Sequence, residues 1–250
     1  MSDIYEAPKA NLVTEPDAVE GYGSIEKGMS GDYEFRMGNV LSEAWEKVKG
    51  VKGTFFLAFL IYLVLLIALS IPLEIIQMTI MQTTQNPPLV MAVALVGQLA
   101  MNLIILPIGM GIFILGVRRS VDAPLEVGSI FGYYKKAFSL FFTMLLMYIM
   151  ILIGLILLVI PGIYLMIAYF MALPLVAEKG LNPWQAMEVS RKTITNRWFS
   201  VFFFFILISI IMMISMIPLG IGLIWVGPMM MIAYGIMYRN MFGVETETLK

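Results

Sequence analysis

The chain has 250 residues, of which 60% are hydrophobic and only 13% are charged, and its mean hydropathy is +0.89. This composition lies outside the range of soluble globular domains and indicates a membrane protein. The sequence contains no cysteine and no histidine. Disulfides, thiolate metal sites and histidine-based catalysis are therefore excluded.

The first 37 residues are polar and carry eight acidic against three basic side chains. They lack the apolar core of a signal peptide, so we expect the first apolar segment to direct insertion and to leave the N-terminus inside. Too few apolar residues are present to form a core, which predicts a disordered acidic cytoplasmic tail over residues 1–37. A short recognition element around residues 4–8 is the alternative.

Positive charge predicts the topology of the remaining chain. All 16 Lys and Arg residues fall within residues 9–52, 118–136, 179–197 and 239–250. The tracts from Lys136 to Glu178 and from Arg197 to Arg239 each enclose 41 uncharged residues. A span needs about 20 apolar residues, so each tract can cross a membrane twice. The positive-inside rule then places every basic cluster in the cytoplasm.

Six transmembrane helices are predicted, with both termini cytoplasmic. They cover residues 54–73, 88–117, 137–160, 161–177, 198–217 and 219–238. A short segment with helical periodicity and a basic end precedes each outgoing helix, at residues 40–49, 124–136 and 183–192. These segments are typical of interfacial amphipathic helices.

The predicted fold is therefore an all-α, polytopic membrane helical bundle. Its six helices form three pseudo-repeated hairpins, each preceded by an interfacial helix. The membrane domain covers residues 38–240, and residues 241–250 form a short cytoplasmic tail. Pro107, Pro161 and Pro228 occupy similar places in the three returning helices.

Few side chains within the apolar tracts could carry chemistry. Glu74 is the one ionisable residue between Thr54 and Val117, and it is interpreted either as a solvated carboxylate at the end of a span or as a functional acid or cation site. Gln98 and Asn102 lie four residues apart and so share a helix face. They would either join helices by hydrogen bonds or line a substrate path.

The basic clusters offer candidate contacts to anionic lipid headgroups, although their role in setting topology would alone account for them. The candidates are Arg118, Arg119, Lys135, Lys136, Arg191 and Lys192. No catalytic, cofactor-binding or metal-binding residue is predicted. The 22 methionines could suggest Cu(I), but without Cys or His nearby they are interpreted as packing residues.

One stretch carries a family resemblance. Residues 160–164 read Ile-Pro-Gly-Ile-Tyr, and a Pro-containing apolar run follows at residues 172–186 and leads to Ser190. The stretch resembles bacterial six-span membrane proteins of the YciC type and the membrane domain of some glycerophosphoryl diester phosphodiesterases. The resemblance implies a fold and an inner-membrane location. It supplies no catalytic residue, because those enzymes act through a separate domain.

Two functional hypotheses remain open. The leading one is a non-enzymatic inner-membrane protein that organises lipid or a partner membrane protein, with a further copy of the chain as another possible partner. The alternative is a transporter or channel for an apolar or neutral solute. A lipid-modifying enzyme is the weakest hypothesis, since acids and bases are so few, and nothing indicates nucleic-acid binding.

Overall fold

The computed structural model describes residues 21–249, and every regular element in that range is a helix. The α-helices are α1 (Ile25–Ser30), α2 (Met37–Lys47), α3 (Lys52–Thr84), α4 (Pro87–Ser120), α5 (Ala137–Leu157), α6 (Val159–Ala168), α7 (Ala172–Lys179), α8 (Pro183–Thr195), α9 (Trp198–Met216) and α10 (Leu223–Phe242). Two 3₁₀ segments cover Val127–Lys136 and Thr246–Leu249.

Five helical segments are long and apolar enough to cross a membrane, so the chain is a membrane-embedded, multi-pass helical protein. They are Lys52–Thr84, Pro87–Ser120, Val127–Leu157, Val159–Lys179 and Trp198–Met216. The last predicted span, within α10, is absent from this set. α10 ends at Phe242 and has Arg239 in its last turn, and most of its side chains are buried within the protein.

The first hairpin is longer than predicted. α3 has 33 residues and α4 has 34, or about 50 Å each at 1.5 Å per residue. α3 continues through Pro72 to Thr84, and in its last turns the hydroxyls of Thr79, Thr83 and Thr84 bond to carbonyls of the preceding turn. The side chain of Asn86 then accepts from the Leu89 amide and caps α4.

α4 has two environments. Its C-terminal part is buried from Ile105 to Val117 by the other helices, whereas its N-terminal part is largely exposed. α10 packs on the buried part. The outer half of the first hairpin therefore projects from a compact body formed by the remaining helices.

The second hairpin turns sharply and then breaks. Leu158 alone separates α5 from α6, and Gly154 and Gly162 allow the two helices to approach closely. The predicted span over residues 161–177 is in fact two helices, α6 and α7. The Ser190 hydroxyl stabilises the break by donating to the Ala168 carbonyl at 2.7 Å and accepting from the Met171 amide at 3.1 Å.

Two of the three segments predicted to be interfacial helices are α-helical, as α2 and α8. The segment before α5 differs, since residues Val127–Lys136 form a 3₁₀ helix. It lies against α4, where a side chain at Gly111 would collide with the backbone of Ile130. This close approach fixes the path of the segment along α4.

The prediction of disorder over residues 1–37 is wrong for the part that the structure describes. From Gly21 onward the segment packs on the body: Tyr33 and Phe35 are each 6% exposed, and the Phe35 ring lies edge-on to Phe204 at 5.5 Å. The acidic composition predicted too little apolar burial for an ordered segment, but Tyr33 and Phe35 supply that burial. Residues 1–20 lie outside the described residues.

Candidate functional site

The polar residues predicted within the membrane do not form a site together. Glu74 is exposed on α3, about 33 Å along the helix from Lys52. Asn102 donates to the Gln98 carbonyl of its own helix at 2.8 Å, and the Gln98 side chain is exposed. In this structure the Asn102 amide therefore bonds within α4 rather than to a neighbouring helix.

The space beside these amides is apolar. A cavity lies between α3 and α4. Its volume is about 350 Å³, and it is lined by Leu73, Ile76, Ala92, Val93, Val96 and Gly97. Such a lining offers no hydrogen bond to a polar solute.

Several basic candidates for lipid contact bind the protein instead. Arg119 donates from Nε to the Lys47 carbonyl at 2.8 Å and pairs with Asp122 at 3.4 Å. Lys136 Nζ donates to the Ala177 carbonyl at 2.7 Å and so joins α5 to α7. Arg118 is partly buried. Arg119 and Lys136 therefore connect helix ends to each other.

The α8 residues form a local ion cluster at the surface. Glu188 accepts two hydrogen bonds from Arg191, both at 2.9 Å, and pairs with Lys192 at 3.4 Å. The Arg191 hydrogen bonds hold the pKa of the Glu188 carboxyl below its usual value. Lys192 and Lys135 are exposed, so these two are the most accessible of the predicted headgroup contacts.

The most deeply buried charge is Glu178, near the end of α7. Its carboxylate accepts from the Tyr238 hydroxyl at 3.0 Å, the Glu245 amide at 2.6 Å and the Thr248 hydroxyl at 3.0 Å. The side chain has no exposed area. A buried carboxylate is stable only when it is paired and hydrogen-bonded, and Glu178 meets that condition.

Lys179 offsets part of the negative charge of this cluster. Its ammonium lies 3.7 Å from Glu178 and 2.7 Å from Glu245, and its side chain is 6% exposed. Glu178 therefore has three hydrogen-bond donors and one ammonium group around its carboxylate. The cluster fastens the C-terminal segment beside α7 and α10, and it presents neither a nucleophile nor a base to a substrate.

A second buried charge, Arg239, ties α10 to three other segments. Its guanidinium donates to the Ser120 carbonyl, pairs with Glu43 at 2.7 Å and lies 5.0 Å from the Tyr22 ring centroid. Arg239 therefore connects the end of α4, α2 and the N-terminal segment. Its role in this structure is architectural.

An open cavity of about 480 Å³ lies beside Arg239. Charged side chains of both signs line it, including Lys27, Asp32, Glu34 and Arg36. Arg36 and Glu34 pair at 2.9 Å across exposed surface. Three basic and three acidic side chains line this cavity, so its lining carries no net charge that would favour an anion or a cation.

The sequence interpretation missed Glu178 and Arg239. Each is the first charged residue after a 41-residue apolar tract, and both were treated as boundary residues. Their position directly beside apolar helix is the signal that could have indicated burial. In residues 21–249 no group of three or more Asp or Glu side chains could hold a metal ion.

Comparison of the chain with known protein-family models, with curated proteins and with solved structures found no match. The arrangement of residues is therefore the basis for any functional inference.

Proposed function

We propose that the chain is a non-enzymatic protein of the bacterial inner membrane that organises lipid around it. The observation that carries this proposal is the distribution of surface: α5 and α9 expose apolar faces, while the buried Glu178, Lys179 and Arg239 are paired within the protein. Phe138, Phe142 and Leu152 belong to the α5 face, and Phe199 and Phe203 to the α9 face. Such faces suit acyl chains.

The proposal includes the predicted orientation. Basic residues at the ends of every hairpin favour a cytoplasmic position for both termini, with three hairpins that enter the membrane from that side. The repeated order of interfacial helix, outgoing helix, break and returning helix is part of the proposal, as is the resemblance to the YciC type. Six complete crossings and three hairpins of unequal depth both agree with this charge pattern.

The transporter alternative has less support. A path for a neutral polar solute would need polar groups that reach the middle of the membrane. Asn102 instead bonds to its own helix, and the nearby cavity is lined by apolar side chains. The cavity beside Arg239 is polar, but among the described residues it lies where charged side chains cluster.

Reconstitution into vesicles tests the proposal. A fluorescent anionic lipid that quenches itself on clustering should lose intensity when the chain is present, because Lys135 and Lys192 attract headgroups at about 1 kcal/mol each. The double variant Lys135→Ala with Lys192→Ala should reduce this quenching, and Glu247→Ala, at another exposed charged residue, serves as the matched surface control. Equal quenching by wild type and double variant, or glycerol uptake above that of empty vesicles, would contradict the proposal.

A further inference from the structure

The turns of the three hairpins differ in polarity. The first turn contains Thr83, Thr84, Gln85 and Asn86. The second turn reads Ile-Leu-Leu-Val-Ile over residues 156–160, and the third reads Met-Ile-Pro-Leu-Gly-Ile over residues 216–221. A turn that reaches water is expected to be polar, as the first one is. The other two turns have the composition of hydrocarbon-facing surface.

Exposure strengthens this contrast. Ile160 is 80% exposed and Leu219 is 97% exposed, each at the tip of its hairpin. Side chains this apolar and this exposed are stable in contact with acyl chains rather than with water.

The third tip lies close to the charged end of the first hairpin. Lys52 is the first residue of α3, and its ammonium lies 4.8 Å from the Trp225 ring centroid. Leu219 precedes Trp225 by six residues, a rise of about 12 Å even at the 2.0 Å per residue of a 3₁₀ helix. α3 itself extends about 50 Å from Lys52 to Thr84. The two hairpins therefore reach very different depths.

The tip of the second hairpin also lies close to a charged part of the chain. The Tyr164 hydroxyl lies 2.6 Å from the Thr195 hydroxyl, and the Trp198 indole donates to the Tyr164 carbonyl at 3.2 Å. Thr195 lies between Arg191 and Arg197 in a charged part of the chain. Leu158 precedes Tyr164 by six residues, or about 9 Å of α-helix. This distance is far short of the ~30 Å thickness of a bilayer core. α5 reaches the same tip from Lys136 and is about 31 Å long, so it must run obliquely to the membrane normal.

Backbone bonding allows the third tip to lie in hydrocarbon, where an unsatisfied amide would cost several kcal/mol. Pro218 has no amide hydrogen, and the amides around it all donate locally. Ile217 donates to Ile214, Leu219 to Ile217, Gly220 to Met216 and Ile221 to Pro218, over 2.9–3.2 Å. In the second tip, the Leu158 amide donates to Gly154 at 3.1 Å.

We infer that only the α3–α4 hairpin crosses the bilayer, and that the α5–α6 and α9–α10 hairpins enter a single leaflet from the side that carries the basic residues. The occupant of their exposed faces is the acyl-chain layer of that leaflet. The protein then acts as a wedge that displaces lipid from one leaflet only. Re-entrant hairpins return their basic ends to the starting side, which is why the charge pattern resembles that of six spans. The inference concerns depth and holds independently of the lipid-organising proposal.

Labelled single-cysteine variants test the depth of each tip, since the natural chain has no cysteine. Leu158→Cys and Leu219→Cys replace exposed side chains, and Thr84→Cys is the matched control on the first turn. Each variant is reconstituted in full length. It is exposed to a membrane-impermeant maleimide from either side, then labelled in detergent with bimane and returned to vesicles that contain nitroxide lipids.

We expect Thr84→Cys to react from the outer side, and Leu158→Cys and Leu219→Cys to react from neither side. We expect bimane at the latter two positions to be quenched more by a nitroxide near the end of the acyl chain than by one near the headgroup. Reaction of either tip with maleimide from the same side as Thr84→Cys, or stronger quenching of its bimane near the headgroup, would overturn the inference, and reaction of both tips would establish six crossings.

Discussion

Gly116 of α4 and Gly235 of α10 lie in direct backbone contact where the two helices cross. A Cβ atom built on Gly235 would collide with the Gly116 carbonyl, and one built on Gly116 would collide with the Met231 carbonyl. Small residues permit this approach, and close helix packing replaces the hydrophobic driving force that is missing within lipid.

The crossing makes Gly235→Ala destabilising. The added methyl must separate α4 from α10, and overpacking of this kind costs about 1–3 kcal/mol. We expect a lower melting temperature in detergent. Gly38→Ala on α2 is the matched control, because a Cβ there meets no atom within 4 Å. It should leave the melting temperature equal or slightly higher, since Ala favours helix over Gly. Equal melting of the two variants would show that the helices do not meet at Gly235.

Removal of the buried carboxylate should be more severe. Glu178→Ala leaves the Tyr238 hydroxyl, the Glu245 amide and the Thr248 hydroxyl without their acceptor. Loss of one partner from a buried charged network costs about 3–5 kcal/mol. We expect a large drop in melting temperature and faster proteolysis of the C-terminal segment. Glu247→Ala, at an exposed acid in the same segment, should behave as wild type. Unchanged protease sensitivity in Glu178→Ala would show that the cluster does not hold the C-terminal segment against α7 and α10.

The ionisation of Tyr33 makes the stability of the folded protein depend on pH. Burial raises the pKa of Tyr33 to about 12 from 10.0, although Arg197 opposes the shift. The unfolded chain therefore loses the Tyr33 proton first, so stability is complete below pH 10 and falls as the pH rises toward 12. A shift of this size corresponds to about 2–3 kcal/mol.

Tyr33→Phe removes this titration together with the hydrogen bond from Tyr33 to the Thr193 carbonyl. We expect wild type to be the more stable at pH 8, by about 0.5–1.5 kcal/mol. Its advantage should shrink above pH 10 and then reverse. Parallel curves of unfolding free energy against pH for the two proteins would show that Tyr33 ionises as easily in the folded state as in the unfolded chain.

Phe35 tests whether the N-terminal segment is docked. Phe35→Ala removes a ring that is 6% exposed and packs on Phe204, and truncation of a buried Phe costs about 3–5 kcal/mol. Phe138→Ala removes a ring that is 69% exposed and provides the control. A melting temperature for Phe35→Ala no lower than that of Phe138→Ala would restore the prediction of a disordered segment.

The sequence predicted the all-helical fold class and the approximate positions of the helices well. A long uncharged tract in a single chain is stable within a membrane as a helix. The start of α8 also follows from local signals: Asn182 caps the helix by accepting from the Gln185 amide, and Pro183 takes the first helical position. Such features depend on neighbouring residues alone. Helix existence and type are therefore the predictable part of this fold.

Contacts between distant residues were not predictable. The break between α6 and α7 depends on Ser190, which lies 19 residues beyond Met171. The burial of Glu178 depends on Tyr238, 60 residues away. The depth that each hairpin reaches was not predictable either, because the contact between Lys52 and Trp225 depends on tertiary packing. A pattern of charge shows on which side a hairpin starts and ends, but it does not show how far the hairpin extends.

Cysteine accessibility in intact cells tests most directly the central claim, that the chain enters the membrane from the cytoplasm and crosses it at the first hairpin. Thr84→Cys and Glu247→Cys introduce single thiols at exposed positions on the first turn and in the C-terminal segment. The account predicts that an impermeant maleimide labels Thr84→Cys in intact cells and labels Glu247→Cys only after the membrane is broken. Equal labelling of the two thiols before lysis would contradict the account.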